Sequence, residues 1–263
     1  NLEELVKNYG LVIVDECHHV AAFSFEKVLK AIRSKYVYGL TATPTRKDGW
    51  HKIIYMQCGD IRVRVSNKEL KHNKEMEHTV IVKKTNYKFV LNDEQDKSLY
   101  TEILKDMCHN VFRNSMIIED IKNCIEEGRT PLVLTKFKDH AEYLFEMLRE
   151  KKVYVILLMG GSSAKIRTER RNELENSSIE NRLVIISTSK YIGEGFNFPR
   201  LDTLFLTVPI SWKGNIAQYA GRLHRDYAGK ENVIVYDYVD VHVAMLERMY
   251  QKRLSAYSSM GYT

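Results

Sequence analysis

Two rhythms of apolar residues run along this chain. In the first, a short unbroken apolar run ends abruptly on polar residues: Leu11–Val14 stops at Asp15, Tyr36–Leu40 at Thr41, Leu132–Leu134 at Thr135 and Leu183–Ile186 at Ser187. Runs of this kind belong to strands buried on both faces of a parallel sheet. Further strands are predicted over 153–158, 203–207 and 233–238. In the second rhythm apolar residues recur at helical spacing. It predicts helices over 24–34 (Phe25, Val28, Leu29, Ile32), 92–109, 113–127, 138–150, 163–175, 214–225 and 242–257. Asn92 and Gln95 form a capping box for the helix that runs to 109, and Gly128 suits the residue just past the helix of 113–127. The texture changes between 53 and 91. Residues 61–65 alternate with period two, 79–84 and 87–91 are strand-like, and 66–77 form a polar, lysine-rich loop. From 132 onward strand and helix alternate, which calls for an α/β fold: a mostly parallel sheet covered by helices on both faces.

The chain has 263 residues, of which 44% are apolar, enough for one large or two small domains. No apolar run approaches the roughly 18 residues that span a membrane, so no membrane partner is expected. The formal charge of +6 fits an anionic partner without specifying one. Cys17, Cys58, Cys108 and Cys124 are scattered with no C-x-x-C pair. Neither a zinc site nor a disulfide framework is expected, and a reducing, cytoplasmic setting fits. The opening Asn1-Leu2-Glu3-Glu4 has no initiator methionine and no signal region, and reads as a cut from something longer.

Polar residues at the ends of parallel strands lie where such sheets place ligands. Asp15-Glu16 is an adjacent carboxylate pair. One member suits a hydrated Mg²⁺ and the other an attacking water, as nucleotide hydrolysis requires. Cys17-His18 follow directly. Thr41-Ala42-Thr43 offers two small hydroxyls able to bond those carboxylates. Ser187 to Asn197 brings Gly193 and Gly195, whose backbone permits close approach to phosphate or ribose, and Ser187 and Thr188 suit positioning contacts with a nucleic-acid backbone. Gly160-Gly161-Ser162-Ser163 leads into a helix N-terminus, a ready anion site, while Thr135 and Lys136 close another strand. In the predicted helix of 214–225, Gln218, Arg222 and Arg225 fall at i, i+4 and i+7 on one face around Gly221. Arginines so placed suit a polyphosphate.

In order and spacing these stretches resemble the later motifs of superfamily 2 helicases and translocases of the DEAD/DEAH type. Asp15-Glu16-Cys17-His18 is similar to motif II, the Walker B box, and Thr41-Ala42-Thr43 to motif III. Residues 134–144 resemble motif IV, 187–199 motif V and 218–225 motif VI. Residues 39–49 and the ending after 236–240 lean toward restriction-enzyme motor subunits and excision-repair helicases. The resemblance implies two RecA-like domains: 1–91 as the C-terminal part of the first with connecting strands, and 92–263 as the whole second domain. It implies ATP and Mg²⁺ as cofactors, with Asp15 holding the metal through ATP and water and Glu16 as catalytic base. His18 would couple to Gln218, Arg222 and Arg225 would be arginine fingers, and Thr41 and Thr43 would link hydrolysis to movement. Gly193, Glu194, Gly195 and Asn197 would face the nucleotide. Thr135, Lys136, Gly160, Gly161, Ser187 and Thr188 would face nucleic acid, with DNA favoured over RNA. A nuclease or restriction-type domain is an expected partner.

Two departures stand out. The family usually has aspartate at the position of Asn197, expected beside the ribose. The sequence also contains no G-x-x-x-x-G-K-[ST] phosphate loop. Motif I is therefore expected upstream, in the part of the first motor domain that this chain lacks, and the isolated chain is expected to be inactive. The alternative reading is a non-catalytic nucleic-acid-binding or interaction module that keeps the motor fold.

Overall fold

The computed structural model describes residues 8–19, 28–41, 51–64, 76–90, 99–161, 163–178, 182–192, 196–210 and 219–263. They belong to two compact units, Asn1–Leu70 and Lys71–Thr263. In the first unit, β1 (Leu11–Val14) pairs in parallel with β2 (Tyr36–Gly39), Leu11 opposite Tyr36 and Val14 opposite Gly39. Period two sorts the side chains. Val12, Val14 and Val37 join Cys17, Leu29 and Ile54 in a small core. Leu11, Ile13, Tyr36 and Tyr38 face the other way and stay about half exposed. Residues 28–31 are helical, within the helix predicted over 24–34. A helix not anticipated, α1 (His51–Cys58), places Ile54 in that core. Residues 61–64, expected as part of a strand, are irregular and exposed. Alternation makes a strand only where a neighbour can pair with it. The Asn92–Gln95 capping box and most of the loop of 66–77 lie outside the described residues.

The second unit is a six-stranded parallel sheet. Its strands are β3 (Glu77–Thr85), β4 (Pro131–Thr135), β5 (Tyr154–Leu158), β6 (Leu183–Thr188), β7 (Thr203–Leu206) and β8 (Asn232–Asp240), in the spatial order β3-β8-β7-β4-β6-β5. Among the described residues five helices accompany them: α2 (Leu99–His109), α3 (Val111–Glu126), α4 (Lys138–Glu150), α5 (Ala164–Glu175) and α7 (Ala244–Met260), with a short turn of helix, α6 (Ser189–Ile192), after β6. Alternate strand residues feed two cores. Leu132, Leu134, Leu204, Leu206, Val233 and Val235 pack with Leu174 of α5 and with Ala256, Tyr257 and Met260 of α7. Val133, Phe205, Tyr236 and Tyr238 pack with Ile117 and Ile121 of α3 and Leu144 and Leu148 of α4. The fold is therefore α/β and RecA-like, with helices on both faces as the hydrophobic pattern requires.

Two expectations change. The units divide between Leu70 and Lys71, upstream of the boundary expected at 91/92. The cause is β3, which pairs along its whole length with β8, from Glu77 opposite Asn232 to Thr85 opposite Asp240. It is the edge strand of the second sheet, not a connector. Residues 87–90 are irregular instead of strand, because Tyr87 turns inward and its hydroxyl bonds Asp106 Oδ2 at 2.7 Å. Among the described residues no helix is long and apolar enough to cross a membrane.

Strand β8 also carries two buried carboxylates three residues apart, so they point to opposite faces. Asp237 accepts from Arg253 Nε (2.7 Å) and Nη2 (2.8 Å) on α7, and from the Tyr257 hydroxyl (2.8 Å). Asp240 accepts from Arg113 Nε (2.8 Å) on α3 and from the Thr85 hydroxyl. Breaking such a pair leaves an uncompensated buried charge, at a cost of about 3–5 kcal/mol. Arg253→Met should lower the unfolding free energy of the second unit by about that amount in a urea titration. A loss below about 1 kcal/mol would mean that the pair does not hold α7 to the sheet.

Candidate functional site

At the end of β1 the backbone turns sharply. Glu16 takes φ +50°, a left-handed conformation uncommon for a residue with a side chain. Its amide donates to Asp15 Oδ1 at 2.9 Å, so the turn itself orients the first carboxylate. Leu40 N–H bonds Val14 O and Cys17 N–H bonds Leu40 O, each at 2.9 Å, which lock the two strand ends together. Cys17 is buried against Gly39, where an added Cβ would lie 2.8 Å from its sulfur. Burial, then the neighbouring Cys58, pushes the Cys17 thiol up to about 11, so this cysteine is packing and not a nucleophile. His18 Nδ1 lies 2.9 Å from Thr41 Oγ1 and 3.1 Å from Glu16 Oε2. The Thr41 hydroxyl and the Glu16 carboxylate thus meet at one nitrogen, His18 Nδ1. Asp15 is exposed and Glu16 partly exposed, and carboxylate oxygens at a strand end match the hard-oxygen preference of Mg²⁺. Thr43 lies outside the described residues.

In the second unit, parallel pairing brings the carboxyl ends of the strands to one edge, and the chain order reverses between β4 and β7. Lys136, Gly160 and Gly161 lie there. Lys136 Nζ sits 5.0 Å from the centroid of the Tyr100 ring. Gly161 has φ +88°, and its missing Cβ would lie 3.2 Å from Lys138 Nζ, a lysine the sequence reading did not single out. Ser163 caps α5, its hydroxyl accepting from Ile166 N–H. The hydroxyls expected to contact nucleic acid are turned inward. Ser187 is fully buried and donates to Leu158 O at 2.8 Å, and Thr188 is buried too. Thr135 Oγ1 lies 2.8 Å from His140 Nδ1, while His140 Nε2 lies 3.0 Å from Asn114 Oδ1. Asn114 donates its amide to Cys108 O. Its Oδ1 must therefore accept from His140 Nε2–H, and His140 Nδ1 accepts from Thr135. Burial first, and Arg113 second, hold His140 neutral, with its pKa lowered to about 3. Gly193, Glu194 and Gly195 lie outside the described residues.

The third group is not one helix face. Helical geometry ends at Ala220, and 221–224 continue as turns, with Arg222 N–H bonding Tyr219 O and Leu223 N–H bonding Ala220 O. Gly221 is an exposed residue at a helix end, and the i, i+4, i+7 stripe does not extend to Arg225. Gln218 lies outside the described residues. Tyr219, Ala220 and Leu223 are held in the core beside α7, which leaves Arg222 and Arg225 partly exposed. Arg222 Nη1 donates to Phe196 O at 3.0 Å, placing it beside the loop of Asn197, which is itself exposed. Lys230, also missed in the sequence, donates to Pro199 O (2.6 Å), Leu223 O (2.9 Å) and Arg225 O (2.9 Å).

Known families match this arrangement in the same order. A model of the res subunit of type III restriction enzymes matches residues 1–46, and a model of the helicase conserved C-terminal domain matches 114–227. These matches support the C-terminal portion of a superfamily 2 helicase. Among helicase relatives, it is 26% identical to the putative ATP-dependent RNA helicase L396 of Acanthamoeba polyphaga mimivirus, over 99% of this chain and 49% of that protein. It is 28% identical to the putative helicase 161L of invertebrate iridescent virus 6, over 97% and 57%. The fold is similar to the ATP-dependent type ISP restriction-modification enzyme LlaBIII bound to DNA, with a TM-score of 0.63 at 14% identity over 98% of this chain and 21% of that one. The chain spans about half the length of the helicase relatives it matches. The second model ends at Tyr227, so Lys230 lies beyond the matched residues.

The neutral His140 has a signature. Below about pH 6.5 the unfolded chain binds a proton there that the folded chain refuses, so stability falls as pH drops toward about 3. One such group contributes up to about 1.4 kcal/mol per pH unit. Urea unfolding at pH 7, 5.5 and 4.5 should show a shallower fall for His140→Gln than for the natural chain. Equal slopes would contradict the assignment.

Proposed function

We propose that this chain is the C-terminal portion of an ATP-driven nucleic-acid motor, a helicase or translocase whose track is DNA. The observation that carries the reading is the turn after β1, where Asp15 and Glu16 follow a parallel strand and His18 Nδ1 lies against both the Glu16 carboxylate and the Thr41 hydroxyl beyond the next strand. When bound, Mg²⁺ would neutralise charge developing on the phosphates of ATP. Asp15 would hold it through water, and Glu16 would orient and deprotonate the attacking water. Thr41 would sense the state of Glu16 through His18. Arg222 and Arg225 would supply permanent positive charge to the same triphosphate, and Asn197, close to Arg222, would hydrogen-bond the ribose. The sequence contains no phosphate loop. The isolated chain should then turn over ATP poorly.

Lys136, Lys138, Gly160 and Gly161, at the carboxyl edge of the sheet, would meet the sugar–phosphate backbone. Thr135 and Ser187 would serve there by shaping the strand ends, since their hydroxyls are committed inside. A restriction-type or nuclease domain is the proposed neighbour of such a motor, in keeping with the restriction-enzyme match of residues 1–46.

In the full-length protein, Arg222→Ala and Arg225→Ala should each lower ATP turnover by about 10³-fold or more while nucleic-acid affinity changes little. If both variants hydrolyse near the natural rate, the assignment of these arginines fails. Binding measured on single-stranded and duplex DNA and RNA at two salt concentrations should favour DNA and weaken steeply with salt, since phosphate contacts dominate it. A preference for RNA would overturn the choice of track.

A further inference from the structure

The turn that carries Arg222 and Arg225 exposes backbone carbonyls that no regular ladder of amides pairs with. A cation placed there satisfies such carbonyls. Lys230 does this from five residues downstream of Arg225. Its approach is set by a tight turn in which Lys230 N–H bonds Tyr227 O at 3.1 Å and Gly229 takes φ +82°, a conformation that favours glycine. The ammonium then reaches Leu223 O, Arg225 O and also Pro199 O, the last residue of the stretch similar to motif V. An ammonium carries three N–H donors, and here three backbone carbonyls from two separate segments accept from it.

We infer that Lys230 is a positioning residue that ties the 196–200 loop to the 219–225 turn and so fixes where Arg225 and Arg222 present their guanidinium groups. It acts through backbone carbonyls and touches no nucleotide. Arg222 Nη1 bonds Phe196 O, so the same tie sets both ends of that contact. Release of the ammonium would free the two segments to drift apart, with the sheet beneath them intact. The inference rests on the proposal that these arginines serve ATP hydrolysis.

Two measurements test it with Lys230→Met, which keeps the length and apolar stem of the side chain. In this chain, hydrogen exchange of the amides of 222–225 should quicken at least tenfold, while those of β4, β6 and β7 keep their protection. Unchanged exchange at 222–225 would overturn the tie. In the full-length protein, kcat for ATP should fall at least tenfold with KM for ATP and nucleic-acid affinity within about twofold, and Lys230→Arg should recover part of the loss. A natural kcat in Lys230→Met, or a loss that disappears on cooling as unfolding reverses, would overturn the positioning role alone. Absence of ATP turnover in the natural full-length protein would overturn the proposed function, and with it the role of Lys230 in the reaction, whatever the exchange shows.

Discussion

The second unit depends on two carboxylates buried in its second strand from the edge. Asp237 and Asp240 point to opposite faces of β8, and each is met by an arginine from the helix covering that face. Neither pair is an inexpensive source of stability, because taking the charges out of water offsets most of their attraction. What they add is position. Arg253 also donates to Ile210 O and Arg113 to Thr207 O, so both arginines hold the segment that leaves β7. That segment leads toward the turn of 219–225. A pair of buried ion pairs and a lysine at the far end thus bracket the stretch that carries Arg222 and Arg225.

The first unit works by a similar economy of means. Packing of Cys17 against Gly39 and two backbone hydrogen bonds bring the ends of β1 and β2 into contact, and the polar residues just beyond inherit that proximity. A carboxylate and an imidazole from the turn after β1 then meet a hydroxyl from beyond β2, Glu16 and Thr41 both at His18. A Cβ at position 39 would press directly on the sulfur beneath the turn.

Much of this was legible in the sequence, because the pattern there is physical. Unbroken apolar runs ending on polar residues are strands with those polar residues at their carboxyl ends, and Gly128 ends α3 at φ +81° as a residue past a helix should. What could not be read was how partners are chosen. In sequence β3 reads as a connecting strand, yet it pairs with β8, and 61–64 alternate like a strand without a pairing partner among the described residues. The hydroxyls of Thr135 and Ser187 looked available, yet burial gives them to His140 and to Leu158 O. Lys230 carried one faint signal, a glycine directly before a lysine past the last motif.

The proposed function requires that the carboxylates after β1 and the arginines of the 219–225 turn serve a single hydrolysis. The most direct test compares ATP turnover by the full-length protein carrying Glu16→Gln, Arg225→Ala, or both. Residues that act as one unit are not additive, so the double variant should be about as slow as the slower single variant. Losses that multiply would show that the two groups act independently and would contradict the account.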